Sequence, residues 1–568
     1  MRAHRTALAL AALAGLAVVA LHPGVAPATT ITIVNTDGTG EGFNDPTPRS
    51  PVAGNPGTTL GAQRLNVFNR AAQIWGSILP SSVQIFVQAS FDPMTCSASS
   101  GVLGAAGANE VDANFPNAPF ANTWYPIALA NKLANVDRSP GSDDIQAQFN
   151  SELDDNASCL GGVGWYYGYD ANEGAAVDLL PVLLHELGHG LGFQTFADLS
   201  NGTLLNGQAD IFARNIYDRT LAKHWHQMTN AERLTSTTNT RNVIWDGPVT
   251  TAATGLALGP PAVIIVTAPV SIAGTYMAGT ATFGPPISAA RRSGPVVLVD
   301  DQVAPNINDG CTTIQNASAL AGKIALIDRG NCTFVVKAQQ AQAANAIGVI
   351  IVNNAAGSTP PGMSGSDPSI TIPVLSVTQA DGNLIKAHLA EGVQVLMTTD
   401  PTQLAGTDGQ GHVLLYAPNP VAYGSSISHF DVSCTPNLLM EPSINHDLEA
   451  GDVDLTRYLF QDLGWFEGAT DAVRGPAVTR LVGNAPNPFN PTTTIYFDLA
   501  LAGDVDLTLY DLAGRRVKQL AHGPMNAGPH GLRWDGTDSR GRSVAAGVYV
   551  ARLAAGGNVD ARRLVLVK

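Results

Sequence analysis

Two histidines four residues apart, with a glutamate beside the first, stand in the stretch LLPVLLHELGHGLGF at 179–193. A helix turns once per 3.6 residues, so His185 and His189 project from one face about a turn apart and can grip one ion. Glu186 then borders the open side of that ion, where it can take a proton from water and return it to a leaving group. Zinc suits such a set, because it lowers the pKa of water, polarises a carbonyl and stabilises a tetrahedral oxyanion. The pattern predicts metal-assisted hydrolysis, with His185 and His189 as ligands and Glu186 as general base and then acid. A helix carrying two histidines by accident is the bland alternative. It is disfavoured in a chain with 12 His among 568 residues.

The neighbouring residues predict a buried helix that holds this face in place. Asp178 can cap it, Pro181 is tolerated in a first turn, and VDLLPVLLHEL is apolar throughout. Gly190 and Gly192 are expected to let the chain leave the helix in a left-handed conformation. Upstream, TLGAQRLNVFNRAAQIWGSIL at 59–79 carries apolar residues at helical spacing, and VQIFVQASF at 83–91 reads as a strand. The polar DDIQAQFNSEL at 143–153 reads as a loop or short helix.

A catalytic zinc needs three protein ligands and an open position. Here the stretch resembles the metzincin metalloproteases, whose pattern is H-E-x-x-H-x-x-G-x-x-H. His185, Glu186, His189 and Gly192 match it, while Thr195 stands where the third histidine would be. Either zinc binding is lost or the ligand returns from a distance. His224 and His226, in KHWHQM, are the nearest spare histidines, but as i and i+2 on a helix they would face different ways.

A second stretch, LLYAPNPVAYGSSISHFDVSCTPNLLMEPSINHDL at 414–448, resembles leishmanolysin-like peptidases, which place a long insert before the last ligand. Ser428, His429, Phe430 and Asp431 match the serine-histidine-aromatic-acid run of that family. Leu439 and Met440 match its leucine-methionine turn, and Gly192 with Phe193 match the upstream end. The resemblance implies His429 as third zinc ligand and Met440 as structural support that packs and does not ligate. His412 and His446 lie near but lack a methionine turn at the right distance. Glu441 follows Met440, near where some metzincins carry a tyrosine, which puts a tyrosine-assisted step in doubt. LTRYLFQDLGW at 455–465 reads as a closing helix.

Between the two stretches, 255–400 alternates short apolar runs with the helical TFVVKAQQAQAANA, which predicts a compact α/β module. GKIALIDRGNCTFVVKAQQAQAANAIGVIIVNN resembles the protease-associated (PA) domain. That implies a non-catalytic module that gates or presents substrate, with a spacer that has its own core as the equal alternative, and its single histidine is His388. At the far end, NAPNPFNPTTTIYFDL, YDLAGRRV and AAGVYVARL read as short alternating strands of a β-sandwich. They resemble C-terminal sorting domains of the bacterial type IX secretion system and the immunoglobulin-like domain of flagellar hook-capping proteins. The resemblance implies the secretion machinery as partner.

The first 28 residues read as a secretory signal peptide: Arg2 and Arg5, then ALALAALAGLAVVAL, then small residues ending at Ala28. No later stretch is long and apolar enough to span a bilayer. The expected destination is secretion or the cell surface. A formal charge of -15 argues against nucleic acid and anionic membranes as partners. In an oxidising compartment disulfides are expected. Cys311 and Cys332 flank one compact segment and are paired here, Cys96 with Cys159 is the second expectation, and Cys434 is left over. Connectivity is not fixed by the sequence.

The chain is therefore read as multidomain α+β: a metzincin-type zinc protease split by an α/β PA domain and followed by a C-terminal β-sandwich. The boundaries are signal peptide 1–28, protease 29–254, PA insert 255–400, protease 401–466, linker 467–480 and sandwich 481–568. The expected activity is zinc-dependent endoproteolysis of protein and peptide substrates, with one catalytic Zn2+ and structural Ca2+ as a further candidate. Two rivals are a gluzincin with Glu232 or Asp218 as acidic third ligand, and a surface binding or adhesion protein on an inactive metzincin fold. The intact Glu186 argues against the second.

Overall fold

A computed structural model describes residues 29–466 apart from 289, 366, 444–447 and 449–452. It also describes 479–567 apart from 486–488, 490, 492, 500–502 and 526–527. The signal-peptide segment, most of the linker and His446 lie outside the described residues.

The first layer is a four-stranded sheet in the order β1 (Ile31–Asn35), β2 (Ile85–Asp92), β4 (Ile145–Asn150), β3 (Gly104–Ala108). β1, β2 and β4 run parallel, and β3 lies antiparallel at the edge. β2 alternates in burial, with Ile85, Val87, Ala89 and Phe91 inside. The expectation of a loop or short helix at 143–153 is corrected for residues 145–150. Ile145, Ala147 and Phe149 recur with period two and are all buried, so the glutamines between them fall on the other face of a strand. Only Glu152–Asp155 is helical.

Helix α1 (Leu60–Ile78) starts at Thr59, whose side chain accepts the Ala62 amide, and buries Val67, Phe68, Ala71, Ala72 and Trp75. Trp75 Nε1 donates to the Leu184 carbonyl at 3.1 Å, which ties α1 to helix α2 (Leu179–Gly190). After residue 246, helix α3 (Pro248–Ala257) leads out of this body.

The segment 262–399 forms an eight-stranded sheet of its own. Its centre is three parallel strands, Ile324–Asp328, Gly348–Val352 and Val374–Val377, almost wholly buried, as parallel strands covered on both faces must be. Helix α4 (Phe334–Ala343) follows the first of them. The segment's first and last strands, Ala262–Ala268 and Gln394–Thr399, are antiparallel neighbours, with Ala262 paired to Thr399. Asp400 N donates to the Pro261 carbonyl at 2.9 Å and Ala405 N to the Gly259 carbonyl at 2.8 Å. The chain thus leaves and re-enters the body at one point.

Helix α5 (Thr456–Asp462) closes that body. Its Asp462 accepts the amides of Val249 and Thr250 and the Thr250 hydroxyl, so a residue beyond the insert caps the helix before it. Trp465 Nε1 donates to the Leu191 carbonyl at 3.0 Å. Replacing 262–399 with a short flexible linker is therefore expected to leave the body folded. Metal content measured on the purified deletion protein should match that of the full chain.

The described residues of 480–566 form two sheets, one of three strands and one of four, around a separate core containing Phe497, Leu507, Leu509, Trp534 and Leu553. Among the described residues no helix is long and apolar enough to cross a membrane.

Candidate metal centre

Asp178 caps α2 by accepting the Leu180 amide at 3.0 Å, and almost every residue of the helix is buried. His185 and His189 point from it towards His429, which lies 244 residues from His185 along the chain. His185 Nε2 is 3.1 Å from His429 Nε2 and 3.2 Å from His189 Nε2. Each ring is held from behind by a carbonyl: Leu439 at 2.7 Å from His185 Nδ1, Phe193 at 2.8 Å from His189 Nδ1, and Ser425 at 2.7 Å from His429 Nδ1. A carbonyl only accepts, so each Nδ1 carries the proton and each Nε2 presents a lone pair.

Three lone pairs converging at this distance repel unless a cation lies between them. Burial pushes the His185 imidazole down to about 3, with His189 adding to it, and His189 down to about 4. His429 is held well below its ordinary value, by burial first and then by the other two rings. The triad is neutral at neutral pH, as metal ligands must be. Three nitrogens on a tetrahedral ion at about 2.0–2.1 Å stand about 3.3 Å apart, so the residues present fit zinc. Among the described residues this triad is the one group of three His, Cys, Asp or Glu side chains spaced to share an ion.

Glu186 is partly buried beside the triad, and burial pushes its carboxyl up to about 7 against the opposing hydrogen bond from Ala106 N at 3.1 Å. That amide belongs to the edge strand β3 and points away from its partner strand. Placed there, Glu186 offers a carboxyl for proton transfer at the side of the triad.

Met440 is fully buried under α2: a Cβ on Gly188 would meet its Sδ at 2.8 Å. Its carbonyl accepts the Phe430 amide at 2.8 Å, which joins the turn to the residue beside His429. Met440 thus packs beneath the site. Met440→Ala is expected to cost about 2–5 kcal/mol of stability, read from denaturant unfolding, without removing a metal donor. Glu441 turns back, accepting Leu438 N at 2.8 Å and Asn437 Nδ2 at 3.1 Å.

Of the two glycines, Gly192 meets the expectation and Gly190 does not. Only Gly192 has a positive φ, +123°; Gly190 is the last helical residue and is small because Ile145 Cγ2 would lie 2.5 Å from an added Cβ. Thr195 donates its hydroxyl to buried Asp210 at 2.8 Å, and its amide donates to Ser428 Oγ at 3.2 Å. The third-ligand position of the short pattern has become a fastener to the turn segment that carries His429.

The other candidates lie in different arrangements. His224 and His226 are not on one helix, as the sequence suggested: Lys223–His224 is a strand and Trp225–Gln227 a 3-10 turn. His224 Nε2 faces Asp246 at 2.6 Å, His412 Nδ1 faces Asp408 at 3.0 Å, and His388 Nδ1 faces Glu391 at 2.7 Å. Glu232 pairs with Lys223, and Asp218 accepts the Asn239 side-chain amide and two backbone amides, so neither joins the triad. Disulfides join Cys96 to Cys159 and Cys311 to Cys332, and Cys434 is a buried free thiol. The three carbonyls that orient the rings had no signal in the sequence, because any residue type supplies one.

Residues 292–385 match the PA domain family. Residues 483–558 match the FlgD Ig-like domain. The Xenopus laevis protein named ER degradation-enhancing alpha-mannosidase-like protein 3 is 36% identical over 148 residues, 24% of this chain and 16% of that protein. Leucine aminopeptidase 2 of Arthroderma otae is 35% identical over 105 residues, 18% of this chain and 21% of that protein. The chain thus covers about a sixth to a fifth of these relatives' length, and their names denote unlike activities. Among solved structures, an aminopeptidase from Aneurinibacillus sp. strain AM-1 aligns at 21% identity and TM-score 0.20, over 26% of this chain and 32% of that one. FLGD from P. aeruginosa aligns at 26% identity and TM-score 0.12, over 13% and 59%. The PA module and the Ig-like module are therefore placed by family, and the body carrying the triad is read from its own geometry.

Proposed function

We propose that the chain is an exported zinc endopeptidase of the metzincin type, resembling leishmanolysin-like enzymes, in which a PA module interrupts the catalytic body. The observation that carries this is the convergence of three unprotonated Nε2 atoms, from His185, His189 and His429, with Glu186 at their side. His185, His189 and His429 would hold a zinc ion, which would supply Lewis acidity to lower the pKa of water and polarise a peptide carbonyl. Glu186 takes the proton from the attacking water and carries it to the amine nitrogen as the peptide bond breaks.

Cleavage within chains is favoured by β3. It is an edge strand beside Glu186, and an extended peptide can pair along such an edge on both sides of the broken bond. Two disulfides fit an oxidising compartment. We assign the PA module to substrate presentation and the Ig-like module to sorting by a bacterial secretion machinery, on motif likeness. The test is metal analysis of the purified protein beside casein digestion with and without a chelator. One zinc per chain and chelator-sensitive cleavage are expected. Metal-free protein that still digests casein would overturn the reading.

A further inference from the structure

Lys337, on α4 of the PA module, is fully buried. Its Nζ donates to the carbonyls of Asp309 at 2.6 Å and Gly330 at 2.7 Å, and stands 3.4 Å from Cys311 Sγ. No carboxylate forms an ion pair with it among the described residues. Burial pushes its pKa down, while Asp309, Asp328 and Asp301 act on it through space in the other direction. A buried ammonium is costly unless its three donors are used, and here the third is used on sulfur.

That sulfur belongs to the Cys311–Cys332 bridge. The two sulfurs are therefore unlike. Cys311 has a cation against it, while Cys332 makes no such contact and follows the exposed Asn331 at a turn. A neighbouring cation lowers a thiol's pKa, and in exchange the lower-pKa sulfur leaves faster.

We propose that this disulfide is a thiol-exchange site with a fixed direction, in which a small thiol attacks Cys332 and Cys311 is the leaving sulfur beside Lys337. The incoming thiolate, its proton given up to solvent, forms a new S–S bond to Cys332 Sγ. The old S–S bond breaks, and its electron pair goes to Cys311 Sγ. This leaves a mixed disulfide on Cys332 and a thiolate at Cys311, with no net oxidation. A second thiol can then attack the external sulfur of the adduct, releasing Cys332. Over both steps the protein gains two electrons and the two small thiols become one disulfide. When the bridge opens, the loop keeps the hydrogen bond of Asn331 Nδ2 to Asp309 Oδ2 at 2.6 Å and those of Lys337 to the Asp309 and Gly330 carbonyls.

The test uses the full-length protein with reduced glutathione below one equivalent, trapped with excess N-ethylmaleimide at pH 6, then acidified and mapped by peptide mass spectrometry under acid. Glutathione is expected on Cys332 and the capped thiol on Cys311, by about ten to one. An even split, or glutathione mainly on Cys311, overturns the proposal on the unaltered protein alone. Lys337→Gln should slow exchange about ten-fold and even out the map, and Lys337→Arg should restore the bias. A folded Lys337→Gln protein with unchanged rate and bias would show the ammonium to be a structural clasp only.

Discussion

Glu186→Gln is expected to abolish measurable peptide hydrolysis while leaving zinc content at one per chain. The amide keeps the size and polarity of the carboxylate, and the three ring nitrogens and their supporting carbonyls are untouched. What disappears is the group that takes and returns the proton, and general acid–base groups contribute about 10²–10⁴-fold to rate. Turnover of a quenched-fluorescence peptide, normalised to bound zinc, is the measurement. A variant within a few-fold of the unaltered enzyme would remove Glu186 from the chemistry. A variant that lost its metal would instead point to a structural fault.

The second large effect is expected at His429. His429→Ala should strip zinc during dialysis, because two nitrogens from one helix cannot hold what three hold. The loss should exceed the ten- to hundred-fold that removal of an outer-shell partner costs. Thr195→Ala makes the contrast, since its hydroxyl donates to Asp210, accepts the Ala197 amide and is no part of the triad. That change should cost about 1 kcal/mol of stability and no zinc, because Asp210 keeps the amides of Phe196 and Ala213. His224→Ala should also keep its zinc, the ring being engaged with Asp246. Full zinc occupancy in His429→Ala would show that the triad is not the metal centre.

The parts of this molecule legible in the sequence are those where residue type and spacing carry the message. Helix α2 was readable because its capping aspartate, its apolar run and its two histidines all obey one period. The central strands of 262–399 were readable because burial on both faces leaves them no polar positions. Strand β4 was not, since glutamines fill its alternate face and dilute the apolar signal of Ile145, Ala147 and Phe149. Gly190 was misread because a glycine needed for close approach looks the same in sequence as one needed for a positive φ. Pairing His429 with α2 from the sequence rested on resemblance, since no local pattern links residues that far apart. The Ala106 amide and the three supporting carbonyls left no trace, because backbone groups are common to every residue.

The insert's ends meet at Ala262 and Thr399, and the third histidine comes after them. Consider a chain emerging from the ribosome. By the time α2 is complete it carries two of the three metal-binding rings, yet more than two hundred residues, including a whole module, must still be made. Domains form as units in the order of synthesis. On the proposed reading, a chain in production or in transit therefore holds an unarmed pair of histidines, and any product truncated before residue 429 is inert. If the proposed activity holds, the insertion delays the onset of proteolysis until almost the entire body exists. Nascent chains stalled at successive lengths and assayed for zinc retention should show it as a step after residue 429.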